Sequence, residues 1–478
     1  MLIKSTHTLH LQINVDGLPL FKSSNEQFWP ILGLIEEDPC RIPFVIGLYC
    51  GHSKPSDANE YLSDFITEMG KLASDGLDYQ SDFHQIEISA FVCDAPARAF
   101  LKNIKAHNSY YGCERCVQEG VWLNHRLNYT ATNSALRTDE NFREQTYTDH
   151  QKVGESALLQ INVGMVSQFV LDFMHLVCLG LMRKLIWLWM KGPLPTRIGN
   201  RSIVVISDRL TRLGKNLPKE FGRKGRSLRE VDRWKATEFR TFLLYTGPIA
   251  VKKTLPKIMY DHFLLLHVAI FILSSHRLHK HYCDYADNLL RIFVHNFPLI
   301  YGDFVVYNVH NLIHLASDVR KFGPLPQNSA FPFENFLYKL KRQIRKPNQP
   351  LQQVVRRLTE QASISRVSLP SSSLSSSPTA SLFHYTCDRF TLSVQGGDNI
   401  ILCANNILKI EEIQRTVSGT SFVVRQYLQQ QPFFTCPMNS VVKEMSRETF
   451  VITESDIDCK MVAIPYKNKI VIYPLNHL

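Results

Sequence analysis

Three carboxylates and four sulfur or nitrogen ligands stand out because each sits where a fold could aim it. The run "LHLQINVDG" alternates apolar and polar residues and ends on Asp16, and "IEISAFVCD" ends in the same way on Asp94. Aspartate before glycine is also an ordinary turn signal, so Asp16 alone decides nothing. The third carboxylate, Glu334, opens "FPFENFLYKLKRQIRK", whose later turns carry Lys339, Lys341, Arg342, Arg345 and Lys346. Oxygen ligands from two strand tips and a helix, brought together, suit Mg²⁺ or Mn²⁺. A pair of such ions roughly 3.5–4 Å apart promotes in-line attack on a phosphodiester. The plainer reading of Glu334 is an intrahelical ion pair with the cations that follow it.

The other ligands come as two pairs, "CERC" with Cys113 and Cys116, and "HNLIH" with His310 and His314. Histidines four apart share a face if the segment is helical. Together the pairs make a Cys₂His₂ set of the kind that holds tetrahedral structural zinc. A lone C-x-x-C or H-x-x-x-H is commonly chance. The order Asp, C-x-x-C, long helical insert, H-x-x-x-H, Glu is much less so. A metal held this way would staple together two parts of the chain nearly 200 residues apart.

The elements that must position these groups follow from periodicity. Residues 9–100 read as strands and helices. "QFWPILGLI" and "PFVIGLYCG" are β-rich, and "DANEYLSDFITEMGKL" has helical spacing with Asp57 as N-cap and Leu62, Phe65, Ile66 and Met69 on one side. After Asp94, "APARAFLKNI" reads as a helix with Pro96 in its first turn. Two aspartates on the tips of the first and fourth strands suggest an α/β, RNase H-like sheet, in which those strands are neighbours. Helical patterns then dominate, including "FVLDFMHLVCLGLMRKLIWLWM" and "YADNLLRIFVHNF". Residues 363–381 hold ten serines in nineteen positions and read as a linker, and 382–478 carries short β-type runs. The expected organisation is an RNase H-like core in 1–125, a helical insertion in 126–305, and the His pair with the Glu helix in 306–362. The linker of 363–381 and a small β-rich domain in 382–478 complete it.

Composition narrows the class. The 478 residues are 45% hydrophobic and 20% charged, as in a globular chain, and carry a net charge of +11. That excess favours a polyanionic partner, and residues 201–240 concentrate it with twelve Lys/Arg against five Asp/Glu. A solvated helical face is the plainer account of that stretch. Eleven cysteines scattered over a long chain do not form a secreted disulfide framework. "FLLLHVAIFIL" is too short to cross a bilayer and reads as a buried helix, so neither a membrane nor secretion is expected.

From Asp16 to about residue 346 the chain resembles the DDE transposases of the CACTA (En/Spm) group, relatives of Transib and the V(D)J recombinase core. The likeness is carried by "VDGLPLFKSSNEQFWPIL", "FVCDAPARAFL", "GCERC", "LDFMHLVCLGL", "HNLIHLASDVRKFGPL" and "FPFENFLYKLKRQIRK", and by "WKATEFRTFLLYTGP" for the animal copies. It implies Asp16, Asp94 and Glu334 as the catalytic triad on two Mg²⁺ ions, and Cys113, Cys116, His310 and His314 on zinc. It further implies DNA cleavage and strand transfer during transposition, a homodimer and the nucleus. Lys339, Lys341 and Arg342 are candidates for backbone phosphate contacts. "LDFMH", with Asp172 and His175, matches a family landmark whose role the sequence leaves open, a histidine on an apolar helix being more often a core residue. Members of the group carry a further N-terminal region for end recognition, whereas this sequence opens almost on the first strand. A fragment, a decayed copy and a domesticated gene therefore stay open. So do two functional alternatives, a catalytically inactive DNA- or protein-binding module and a stand-alone RNase H-like nuclease.

Overall fold

Alternation makes Thr8–Val15 a strand, β1, with Leu9, Leu11, Ile13 and Val15 buried on one face. On the other face Gln12 and Asn14 are equally buried but satisfied. Gln12 Nε2 donates to Glu36 and to Asn328, each at 2.9 Å, and Asn14 Nδ2 donates to the Val92 carbonyl at 2.6 Å. β2 (Gln27–Ile35) and β3 (Phe44–Gly51) extend the sheet antiparallel. Helix α1 (Ala58–Asp75) then crosses back, so that β4 (Asp82–Phe91) runs parallel to β1, and helix α2 (Ala95–Leu101) follows. The strand order is β3-β2-β1-β4, with Leu18–Pro19 and Leu77–Tyr79 pairing on β2 and β4.

The computed structural model describes residues 8–79, 82–367, 379–380, 384–387, 390–394, 396–416, 419–428, 430–432, 440–442, 444–467 and 469–476. Over these residues it is mixed α/β, 43% helix and 24% strand. It divides into two compact units, the first drawn from 1–175, 305–314 and 328–373, the second from 176–304, 315–327 and 374–478.

In the first unit α1 forms where the spacing predicts. The Asp57 carboxylate accepts the Asn59 N–H at 2.7 Å, and Leu62, Phe65, Ile66 and Met69 are its buried residues. They share a core with the Leu9–Val15 face of β1. The opposite face, at Phe28, is covered by Leu340 of α8 (Phe331–Arg342; α3 to α7 are given below) and Val354 of α9 (Pro350–Val367). Between α2 and residue 173 helices are short, and one parallel bridge, Phe91 to Phe169, continues the sheet beyond β4. Phe91 donates to the Gln168 carbonyl at 2.7 Å and its ring stacks on Phe169 at 4.5 Å.

Long helices begin with the π-wound turns Met174–Met182, which run on into α3 (Arg183–Lys191). In the second unit α4 (Asn200–Gly214), α5 (Lys257–Ser274) and α6 (Leu278–Tyr301) follow; the later α7 (Leu312–Phe322) has its first turn, to His314, in the first unit and the rest in the second. α5 is long and apolar enough to cross a membrane by length and composition, and 67% of it is buried inside the protein. Of the stretch expected as a linker, 363–367 are the last residues of α9, 379–380 form a short strand, and 368–378 and 381 lie outside the described residues. Beyond it an eight-stranded antiparallel sheet includes the hairpin β5 (Cys459–Tyr466) and β6 (Lys469–Pro474). Within this unit the buried Lys460 ammonium joins Glu220 at 2.7 Å and Asp398 at 2.6 Å, the pairing that a cation in a core requires.

Candidate functional site: a carboxylate cluster and a buried Cys₂His₂ cluster

The register of β1 on β4 brings the first two carboxylates together. Ile13 faces Phe91, so Asp16 and Asp94 each lie three residues beyond a matched pair. The tips are stitched by Val92 N–H donating to the Ile13 carbonyl at 2.8 Å and by Val15 N–H on Cys93 Sγ at 3.3 Å. Gly17 takes the turn beneath Trp29, where a Cβ would come within 3.0 Å of the ring, and its N–H donates to Asp16 Oδ1 at 2.7 Å. Asp94 also caps α2, with Oδ1 accepting the Ala97 N–H at 2.8 Å.

Glu334 arrives on the first turn of α8, whose Phe333, Leu337 and Leu340 are buried. One ligand atom each from Asp16, His175 and Glu334 lie within 4.8 Å of one another. His175 Nε2 is 3.9 Å from Glu334 Oε1, so among the described residues Glu334 pairs with His175 and not with the cations of its own helix. Asp94 acts on the same group through its charge. Burial, then the negative charges of Asp94 and Glu334, push the Asp16 carboxyl up to about 7.

The residues whose role the sequence left open prove central. Asp172 is buried and accepts four hydrogen bonds: from His175 Nδ1 (2.7 Å), His175 N–H (2.9 Å), Met174 N–H (3.3 Å) and Ala330 N–H (2.7 Å). Burial opposes its charge, but the bond from His175 and the other donors hold its carboxyl below the usual range. Ala330 directly precedes α8, so one carboxylate fixes both the His175 ring and the start of the helix that carries Glu334. Burial disfavours charge on His175 as well, and the Asp172 hydrogen bond with the charges of Asp172, Asp94 and Asp16 overcomes this and raises it to about 9. The cluster thus sets Asp16 and Glu334 beside an imidazole whose positive charge Asp172, Asp94 and Asp16 favour.

The second cluster is complete and buried. Cys113, Cys116, His310 and His314 place one ligand atom each within 4.8 Å of one another. Cys113 Sγ is 3.6 Å from Cys116 Sγ and 3.7 Å from His314 Nε2, and Cys116 Sγ is 3.3 Å from His310 Nε2. A tetrahedral ion with bonds of about 2.3 Å to sulfur and about 2.0 Å to nitrogen spaces its ligand atoms by roughly 3.3–3.8 Å. The set therefore fits a metal such as zinc. His310 closes the short helix Tyr307–His310 and His314 lies in the first turn of α7, with Asn311 between them. The hydrogen bond between the two thiols outweighs burial and lowers the Cys116 thiol.

Between the cysteines, Glu114 enters a buried network that no spacing announced. It meets Arg98 Nε at 2.9 Å, Lys102 Nζ at 3.0 Å and the Tyr307 hydroxyl at 2.8 Å. Arg98 Nη1 in turn donates to the Cys93 carbonyl at 2.7 Å, one residue before Asp94. The cations proposed for phosphate contact, Lys339, Lys341 and Arg342, are exposed along α8. Lys341 Nζ donates to the Pro19 carbonyl, and Arg342 lies 5.8 Å from the Tyr338 ring.

Residues 373–475 match the model of a family described as a domain of unknown function, DUF8592. No curated protein matches the chain.

Proposed function

We propose that the chain is a DDE-type transposase of the CACTA (En/Spm) kind, or a protein derived from one, that cleaves DNA and transfers the freed strand. The observation that carries this reading is the meeting of Asp16, His175 and Glu334, with Asp94 acting on them from the neighbouring strand tip. The β3-β2-β1-β4 order, the parallel β1–β4 pair and the further parallel bridge at Phe169 support an RNase H-like core. Asp16, Asp94 and Glu334 would hold Mg²⁺ or Mn²⁺. Hard oxygen donors suit these ions, and the burial and the neighbouring negative charges that raise Asp16 are what added positive charge would offset. Such ions, when bound, supply Lewis-acid activation of a water or 3′-hydroxyl and of the leaving oxygen. The chain's own residues do the rest. Asp172 orients His175 and α8, and it favours positive charge on His175 beside Asp16 and Glu334. Exposed cations on α8 contact the DNA backbone without reading sequence. A homodimer, which joins two ends, and a nuclear location belong to the same reading.

The test is Mg²⁺- or Mn²⁺-dependent nicking of supercoiled plasmid by the purified chain. Asp16→Asn, Asp94→Asn and Glu334→Gln should each abolish it while leaving the circular dichroism spectrum unchanged. Cleavage retained in any one removes that residue from the site. No cleavage by the wild type favours the inactive binding module, and nicking without strand transfer favours the stand-alone nuclease.

A further inference from the structure

In the second unit a cavity of about 340 Å³ is lined by Arg209, Arg212, Lys252, Lys253, Tyr466 and Lys467, with Leu213, Ile249 and Pro465 as its apolar part. Two stretches far apart in sequence build it, α4 with the loop after Gly247–Ala250, and the end of β5 inside the matched C-terminal region. None of its lining residues is acidic. Arg209 holds the loop in place, with Nη1 donating to the carbonyls of Ala250 and Lys252, each at 2.9 Å. Tyr466 orders the cations around its ring, with Lys252 Nζ at 5.7 Å and Lys467 Nζ at 5.9 Å.

Lys253 and Lys467, both in the cavity lining, sit at turns with left-handed backbone φ of 61° and 54°. Burial, then the charges of Lys253 and Lys467, lower the Lys252 amine, so the cations feel one another across the space.

We propose that this cavity is a binding site for backbone phosphates of nucleic acid, supplied jointly by the helical part and the C-terminal sheet. The segment that follows α4 adds Lys215, Lys219, Arg223 and Lys224, and a run of cations in one stretch suits a polyanion better than a single free phosphate. The site rests on the nucleic-acid reading above for its ligand and gives the C-terminal region a role in that binding.

The experiment is fluorescence anisotropy of a labelled 30-base-pair duplex with the full chain in EDTA, where no cleavage is needed, across a salt series. Neutralising three phosphate contacts should reduce the slope of log K against log salt by about 2.5. The triple variant Lys252→Gln, Lys253→Gln, Lys467→Gln should show that reduction for duplexes of any sequence. The single Lys253→Gln, an exposed loop change that does not threaten folding, should show about a third of it. An unchanged slope in both variants overturns the site. The nucleic-acid reading then stands or falls separately on whether the wild type binds and on Lys339→Gln, Lys341→Gln, Arg342→Gln. Competition by inorganic pyrophosphate as strong as by duplex, or flotation with phosphatidylserine vesicles without duplex binding, also overturns the assignment.

Discussion

Replacing Cys116 by serine, or stripping the Cys₂His₂ cluster with a chelator, opens a clamp between residues 194 apart in sequence. The structure sets the size of the effect. A cross-link that closes a loop of that length withdraws chain entropy from the unfolded state, which the loop-closure relation puts at about 5 kcal/mol. A unit of this size moves by about 2–4 °C per kcal/mol, so the midpoint of thermal unfolding should fall by about 10–20 °C. The assay pairs metal analysis of protein purified without chelator with melting curves before and after chelation and in Cys116→Ser. One zinc per chain in the wild type and none in the variant is expected. Two results refute the reasoning: a wild type that carries no metal, or a variant that lacks it yet melts with the wild type.

Two smaller perturbations test other parts of the design. Asp172→Asn keeps the side chain's shape but turns an NH₂ toward donors that the carboxylate accepts. It should cost about 2–4 kcal/mol by denaturant unfolding and slow plasmid nicking, and unchanged stability would show that the four hydrogen bonds matter little. Burial lowers His262 and His267 on α5 to about 4, against the hydrogen bonds to the Phe293 and Leu243 carbonyls. Between about pH 6.5 and 4 the unfolded chain binds protons that these folded imidazoles refuse. Their contribution, at most about 3 kcal/mol each, is therefore complete above 6.5 and lost as pH falls through that window. His267→Gln should flatten the pH dependence of unfolding there, and an equal slope in wild type and variant would exclude the mechanism.

Sequence reached some of this and missed some for definable reasons. Local rules sufficed for α1, where Asp57 and four apolar residues at helical spacing are a complete signal. Strand alternation gave Asp16 and Asp94 their positions, because the carboxylate that ends an alternating run must stand at a tip. The Cys and His pairs were visible because metal ligands come at short, fixed intervals. Asp172 and His175 carry no local signal of a role, since their partners, Ala330 and Glu334, lie some 160 residues on and no local pattern joins them. Glu114 escaped because Arg98, Lys102 and Tyr307 meet it only after folding. The cavity around Tyr466 escaped for the same reason, its lysines coming from positions more than 200 residues apart.

The first unit is discontinuous along the chain, and synthesis runs in one direction only. At about 5–20 residues per second, a ribosome that has just made Cys116 needs about 10–40 s to reach His310. Throughout that interval the two thiols lack their imidazole partners, and β1 and β4 wait without α8 to cover the Phe28 face. The first unit of a newborn chain therefore stays open, with thiols and an apolar sheet face uncovered, until the residues of α8 have emerged.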